Sequence, residues 1–207
     1  MQKFRVWDVS LHDLPDLMKL TYGIISETLK DDNLCCFNFL NLVCSNKRDG
    51  TTTIYLNNDS SVKKEQFYIN SSKYRWPTKY DDDIFTLIED ASRRIIDCNL
   101  ASDSNRGMVE FHSYRIHGSC KSIFDEHEDD YGGVNFKVNT VIYYIKKSSE
   151  VDGGDLLING TVINVRPKKD HYRVVCFAGN ISHKVTEMNG NGERVSIVIQ
   201  LYSLDRS

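Results

Sequence analysis

The sequence has no long apolar run. Its first stretch, MQKFRVWDVSLHDLPDL, is broken by charge before a signal-type core could form, and no segment approaches the ~20 apolar residues of a membrane span. Secretion and membrane insertion are therefore not expected, and a cytoplasmic location is. A C-x-x-C pair is also lacking. The six cysteines (Cys35, Cys36, Cys44, Cys98, Cys120 and Cys176) are not spaced as zinc ligands and read as reduced, mostly buried thiols. An excess of one charge is missing too: 26 basic against 29 acidic residues leave a net charge of −3. No whole-protein field favours nucleic acid, although a local basic groove is left open. Internal repeats and low-complexity tracts are absent, which argues against a solenoid.

What is present suits one globular domain. Of 207 residues, 40% are hydrophobic and 27% charged, enough apolar material for a sizeable core. Leu14, Leu17, Met18, Ile24, Ile25 and Leu29 follow a loose helical period, predicting a helix over about 13–30. A second helix is clearer, since Ile84, Leu87, Ile88, Ala91, Ile95 and Ile96 recur at helical spacing. It starts at Asp81-Asp82-Asp83, whose carboxylates suit the positive end of a helix dipole. Residues 51–56 (TTTIYL) and 66–70 (QFYIN) read as short strands. After Gly107 the character changes to short β-branched and aromatic segments: MVEFHSYRI, VNTVIYYI, DLLI, TVINV, YRVVCFA and RVSIVIQLY. Many short strands separated by Gly, Asn and Asp turns predict a sandwich or barrel over about 107–205. Residues 1–106 are expected to buttress it with helices and edge strands within a single domain.

The acidic stretch FDEHEDDYGG, residues 124–133, contains His127-x-Asp129. A non-haem Fe(II) centre needs two histidines and one carboxylate on one face of an octahedron, leaving three positions open. His127 and Asp129 supply two of these, and His183, after the strand YRVVCFA, is the natural third. Asp125 and Asp130 are the rival carboxylates; Glu126, Glu128 and Asp130 read as solvated charges. Arg194 opens the strand RVSIVIQLY, where a buried guanidinium needs an acid, and a ligand carboxylate would serve. Ser196, two residues on, shares its face. Zinc hydrolysis could use the same ligand types, but no general base stands near them.

The ordered set His127-x-Asp129, Gly153-Gly154-Asp155-Leu156, His183 and Arg194-x-Ser196 resembles the Fe(II)- and 2-oxoglutarate-dependent dioxygenases, within them the prolyl 4-hydroxylase-like group. NTVIYYIKKSSEVDGGDLLI resembles that group's T-x-x-x-Y-L-N followed by G-G-x-L, over a likeness spanning roughly 107–203. The resemblance implies a mainly β fold with flanking helices (α+β), whose core is a double-stranded β-helix, or jelly roll. It implies Fe(II) on His127, Asp129 and His183, 2-oxoglutarate paired with Arg194 and Ser196, and O₂ as oxidant. Tyr144 would donate a hydrogen bond to 2-oxoglutarate, Leu156 would line its pocket, and Tyr114 would be a second pocket tyrosine. Two departures stand out. Ile145-Lys146 replaces the common Leu-Asn, with Lys146 expected in a loop, and the Tyr114–His127 interval is stretched.

The implied activity is hydroxylation of a C–H bond with release of succinate and CO₂, on a peptidyl (prolyl-type) substrate first. A free amino acid or other small metabolite is the alternative, and ascorbate is an admissible auxiliary reductant. Nucleic-acid demethylation is disfavoured, since AlkB-type relatives carry a second Arg six residues after the first, and position 200 is Gln200. From another class, a non-catalytic jelly roll could use the pocket only to bind. Several residues have plain structural readings. Tyr144 is either packing or a donor, and Gly153-Gly154 either a turn or a site of close strand approach. SKYRWPTKY is either an exposed loop or a substrate-facing lid. His12, His112, His117 and His171 read as structural, Lys137 and Arg166 as surface residues, and the oligomeric state is open.

Overall fold

The structure, a computed structural model, describes residues 4–14, 17–28, 37–44, 51–57, 81–100, 106–120, 125–129 and 136–204. Its elements run β1 (Phe4–Ser10), α1 (Leu17–Thr28), β2 (Phe37–Cys44), β3 (Thr51–Asn57), α2 (Asp81–Asp97), β4 (Arg106–Cys120) and β5 (Phe136–Lys147). Then follow β6 (Val151–Gly153), β7 (Leu156–Ile158), β8 (Thr161–Ile163), β9 (His171–Ala178), β10 (His183–Val185) and β11 (Met188–Leu204). The expected strand over 66–70 and the SKYRWPTKY segment lie outside the described residues.

Two antiparallel sheets form. The larger runs β1-β9-β5-β11-β4-β2-β3, with β6 also on β11; the smaller runs β10-β7-β8. The mainly β, jelly-roll expectation is met. Both halves of the chain enter the large sheet, because β1 pairs with β9 and β2 with β4.

Strand β5 explains the layering. Its Val141, Tyr143 and Ile145 point to one core, shared with Val195, Ile197 and Ile199 of β11 and with Leu17, Leu87, Ala91 and Ile95 of the helices. Ile142 and Tyr144 point the opposite way, into a second core with Leu156, Ile158, Ile163, Val175 and Phe177. A strand covered on both faces reads as a continuous apolar run, as VIYYI does. Helices therefore cover the outer face of the large sheet, and the small sheet covers its inner face.

Helix α2 docks through a buried polar knot. The Asp90 carboxylate accepts hydrogen bonds from the Tyr143 hydroxyl (2.8 Å) and from Arg94 Nε (2.7 Å). Burial, then the adjacent Asp90 charge, pushes the Tyr143 phenol well above its usual range. Ile96 falls outside the expected apolar stripe, being 60% exposed, and Met18 of α1 is exposed as well. The buried stripe is narrower: Leu87, Ala91 and Ile95 are fully buried at i, i+4 and i+8, with Ile88 packed beside them. Helix α1 is described over Leu17–Thr28, Asp13 and Leu14 lie outside it, and Leu17 N donates to the Tyr172 hydroxyl of β9 (3.1 Å). The thiols of Cys98 and Cys176 are free, as read from sequence.

Candidate metal centre

The segment 125–129 is strapped to the start of β10 by paired backbone bonds. His127 N donates to His183 O (3.0 Å) and His183 N to His127 O (2.9 Å), while Asp129 N donates to Gly179 O (2.8 Å). These bonds bring two ligand candidates 56 residues apart in sequence to ring centroids 4.4 Å apart. The ligating atoms of His127, Asp129 and His183 all lie within 4.8 Å of one another.

Ring orientation is fixed from behind. His127 Nδ1 faces the Asp125 carbonyl (2.8 Å) and His183 Nδ1 the Ile181 carbonyl (2.9 Å). A nitrogen against a carbonyl carries the proton, so each neutral ring turns its Nε2 lone pair inward. Both Nε2 atoms face the same oxygen, Asp129 Oδ1, at 3.6 Å for His127 and 3.7 Å for His183. Burial lowers the His183 imidazole below its usual range, favouring the neutral form a metal requires. Asp129 is only 3% exposed. Two imidazoles and one buried carboxylate sharing a focus are a donor set that suits Fe(II).

Of the flanking acids, Asp125, Glu126 and Glu128 are exposed. Glu126 is more than a solvated charge: it accepts from Ser182 Oγ (2.8 Å) and pairs with Lys184 Nζ (3.3 Å), tying the loop to β10. Asp130 and the Gly132-Gly133 pair lie outside the described residues.

The second part of the site is built on β11 and β5. Along β11, Val195, Ile197 and Ile199 enter the outer core. Arg194, Ser196, Val198 and Gln200, of opposite parity, share the inner face, where Val198 joins the second core. Arg194 is only 2% exposed, its Nε donates to the Gly154 carbonyl (2.8 Å), and its guanidinium lies 5.0 Å from the Tyr144 ring centre. Tyr144 is fully enclosed, and its hydroxyl has no hydrogen-bond partner among the described residues. Burial pushes its phenol up to about 12, with the Arg194 charge opposing the shift. Ser196 stands opposite Tyr144 in the ladder, Leu156 packs in the same core, and the Cα of Tyr114 pairs with that of Arg194.

Gly153 and Gly154 combine the two readings left open for them. Both have left-handed φ, +70° and +66°, and both are approached closely. A Cβ on Gly153 would overlap the Glu187 carbonyl oxygen. One on Gly154 would sit 2.7 Å from Met188 Cγ and 3.1 Å from Arg194 Cδ. Gly154 thus offers both its carbonyl and its bare Cα as the seat of the Arg194 side chain.

Several contributors escaped the sequence reading. Thr140 donates its hydroxyl proton to Asp129 Oδ2. Gln200, opposite Thr140, is buried, and its Oε1 has no hydrogen-bond partner among the described residues. Lys147, buried opposite Arg194, pairs with Asp155 (2.8 Å). Arg166, read as a surface residue, is half-buried and donates to the Ser148 and Val151 carbonyls (2.8 and 2.9 Å), clamping the turn before Gly153. Lys146, expected in a loop, lies within β5 opposite Val195. A register shift there lets it reach Glu193 (2.8 Å).

No protein-family model matches the chain, and no curated protein matches it by sequence. Solved structures do match. An oxidoreductase of the 2OG-Fe(II) oxygenase family from Burkholderia pseudomallei aligns over 97% of this chain and 84% of its own, at 14% identity and a TM-score of 0.54. A Pseudomonas putida prolyl-4-hydroxylase aligns over 100% and 95%, at 16% identity and 0.53. The viral collagen prolyl hydroxylase of Paramecium Bursaria Chlorella virus-1 aligns over 98% and 97%, at 11% identity and 0.52. The chain has the 2OG-Fe(II) oxygenase fold. Within that fold its His127–Asp129–His183 cluster and its Arg194 lie on the inner side of the large sheet, where the smaller sheet β10-β7-β8 covers it. No helix among the described residues is long and apolar enough to cross a membrane.

Proposed function

We propose that this protein is an Fe(II)- and 2-oxoglutarate-dependent dioxygenase that hydroxylates a C–H bond of a peptidyl substrate, prolyl first, releasing succinate and CO₂. One observation carries the reading: two inward-facing Nε2 atoms share the Oδ1 of a buried aspartate. His127, Asp129 and His183 would hold Fe(II), which with 2-oxoglutarate and O₂ supplies the oxidising power for the C–H bond.

The chain's own residues bind, orient and exclude water. Arg194 offers its guanidinium to the distal carboxylate of 2-oxoglutarate from a site with almost no solvent screening. Its bond to the Gly154 carbonyl fixes the direction of that fork. Tyr144 donates its idle hydroxyl to the same carboxylate, and Ser196 adds a second hydroxyl. Leu156, Ile142 and Val198 keep the surroundings apolar. The resemblance adds Tyr114, at the register position of β4 opposite Arg194, as a second pocket tyrosine. Gln200 presents a buried amide oxygen with no partner among the described residues, suited to an N–H of the substrate.

A peptide substrate is preferred by analogy of fold, because two of the neighbours are prolyl hydroxylases by name. The free thiols of Cys98 and Cys176 suit a reducing, cytoplasmic setting. The single domain, with 1–106 supporting the 107–205 core, belongs to the same proposal.

The test supplies Fe(II), 2-oxoglutarate, ascorbate and O₂ with peptide libraries and, separately, metabolite pools, and follows succinate release and a +16 Da product. A hydroxylated peptide supports the full reading, and a hydroxylated metabolite overturns the peptidyl part. Absence of succinate under every condition from correctly metallated protein overturns the whole.

A further inference from the structure

A carboxylate has two oxygens, and a divalent ion can engage one or both. At Asp129 the two are not equivalent. Oδ1 faces His127 Nε2 and His183 Nε2, at 3.6 and 3.7 Å. Oδ2 accepts the hydroxyl hydrogen bond of Thr140. Thr140 and Asp129 are 1% and 3% exposed, so water does not compete for that bond.

The donor is also rigidly held. Thr140 lies in β5, with Gln200 of β11 opposite it on one side and Phe177 of β9 on the other. Ladders on both sides fix its backbone, and its β-branched side chain has few rotamers to choose from. On the other side, Asp129 N is fixed to the Gly179 carbonyl (2.8 Å), and Gly179 N to the Val138 carbonyl of β5 (2.7 Å). Asp129 is therefore held at its backbone by Gly179, itself tied to β5, and at one carboxylate oxygen by Thr140 of β5.

We propose that Thr140 is a positioning residue that reserves Asp129 Oδ2, so that the aspartate ligates a divalent ion through Oδ1 alone. The proposal rests on the dioxygenase reading of this cluster and deepens it. An octahedral ion held by two histidines and one aspartate oxygen keeps three positions free. Two of them serve a chelating keto acid and one serves O₂. An Oδ2 released from Thr140 can take one of the three, which would block the co-substrate or O₂. A threonine that merely satisfied a buried carboxylate would leave the number of open positions unchanged when removed.

The experiment uses Mn(II) alone, without 2-oxoglutarate or substrate, and reads the number of metal-bound waters by proton relaxation dispersion and by ¹⁷O-water broadening of the EPR signal. Wild type is expected to carry three waters, Thr140→Val two, and Thr140→Ser, which restores the hydroxyl, three again. Mn(II) bound to Thr140→Val with three waters overturns the role of Thr140 and leaves the metal site intact. Failure of wild type to bind Mn(II) overturns the metal reading itself. A measurement on wild type alone guards against misfolding of the valine variant. Mn(II)-induced infrared difference spectra of ¹³C-aspartate-labelled protein should show the wide carboxylate splitting of one-oxygen ligation, and a narrow, two-oxygen splitting overturns the proposal.

Discussion

Replacing Arg194 by alanine should strip the protein of most of its affinity for 2-oxoglutarate. The guanidinium is 2% exposed and is seated on the Gly154 carbonyl, so the co-substrate carboxylate would meet it with little competing water. Removing one partner of a buried, hydrogen-bonded charge pair costs about 2–5 kcal/mol. At about 1.4 kcal/mol per decade, that weakens binding roughly 30- to 4,000-fold. Much of the loss would come from leaving the ligand carboxylate desolvated and unpaired. Isothermal titration of 2-oxoglutarate into Mn(II)-loaded, oxygen-free protein measures it, with circular dichroism as the fold control. Arg194→Lys should fall between, since it keeps the charge but loses the fork and the Nε bond to Gly154. An Arg194→Ala variant that folds and binds 2-oxoglutarate within about threefold of wild type, a difference of less than ~1 kcal/mol, would refute the reasoning.

Other residues give independent checks. Tyr144→Phe removes a buried hydroxyl with no hydrogen-bond partner among the described residues, so urea stability should hold or rise while 2-oxoglutarate affinity falls about tenfold or more. Because that phenol is pushed up to about 12, it stays protonated and donating at ordinary pH, and affinity between pH 6 and 9 should show no tyrosine titration. Tyr143→Phe, on the other face of β5, takes a donor from buried Asp90 and should cost about 1.5–3 kcal/mol in urea denaturation without changing 2-oxoglutarate affinity. Asp8 is held below the usual carboxylate range mainly by the Lys168 hydrogen bond, with Arg173 assisting. Its stabilisation is therefore present above an aspartate's ordinary pKa of ~3.9 and lost as pH falls through the lower folded value. Asp8→Asn should cost at most about 1 kcal/mol at pH 7, and its thermal-melt deficit should close in acid.

How much of this was legible depended on whether a residue type announces its chemistry. The candidate triplet was legible only as an ordered set. His-x-Asp and a later His are each common by chance, but with G-G-D-L between them and an Arg after the second they match one pattern. The fold brings the three side chains together. The strand RVSIVIQLY looks like an ordinary amphipathic strand with Arg194, Ser196 and Gln200 on its wet side. In the fold that polar side is buried as fully as the apolar one, and only the arginine hinted at it. Thr140 opens the T-x-x-x-Y-L-N likeness but was given no role there, since a threonine in a strand is ordinary packing. Its role exists only because β5 passes beside the Asp129 loop. Arg166 and Lys147 were hidden for a similar reason: their partners are backbone carbonyls and an aspartate that neighbour them only once the β5–β7 turns have formed. Strands β1 and β2 were not read because FRVWDVS and FNFLNLVC do not alternate cleanly. Helix α2 was legible from its spacing, but periodicity could not say that Ile96 lies past the edge of the buried stripe.

The central claim is that His127, Asp129 and His183 hold Fe(II) in a form that 2-oxoglutarate can chelate. It is met most directly by an anaerobic titration of Fe(II)-loaded protein with 2-oxoglutarate, followed by visible absorption. Wild type should develop a weak metal-to-ligand charge-transfer band that saturates at one equivalent, and His183→Ala should not. Wild-type protein with one bound iron and no such band at saturating 2-oxoglutarate would contradict the account.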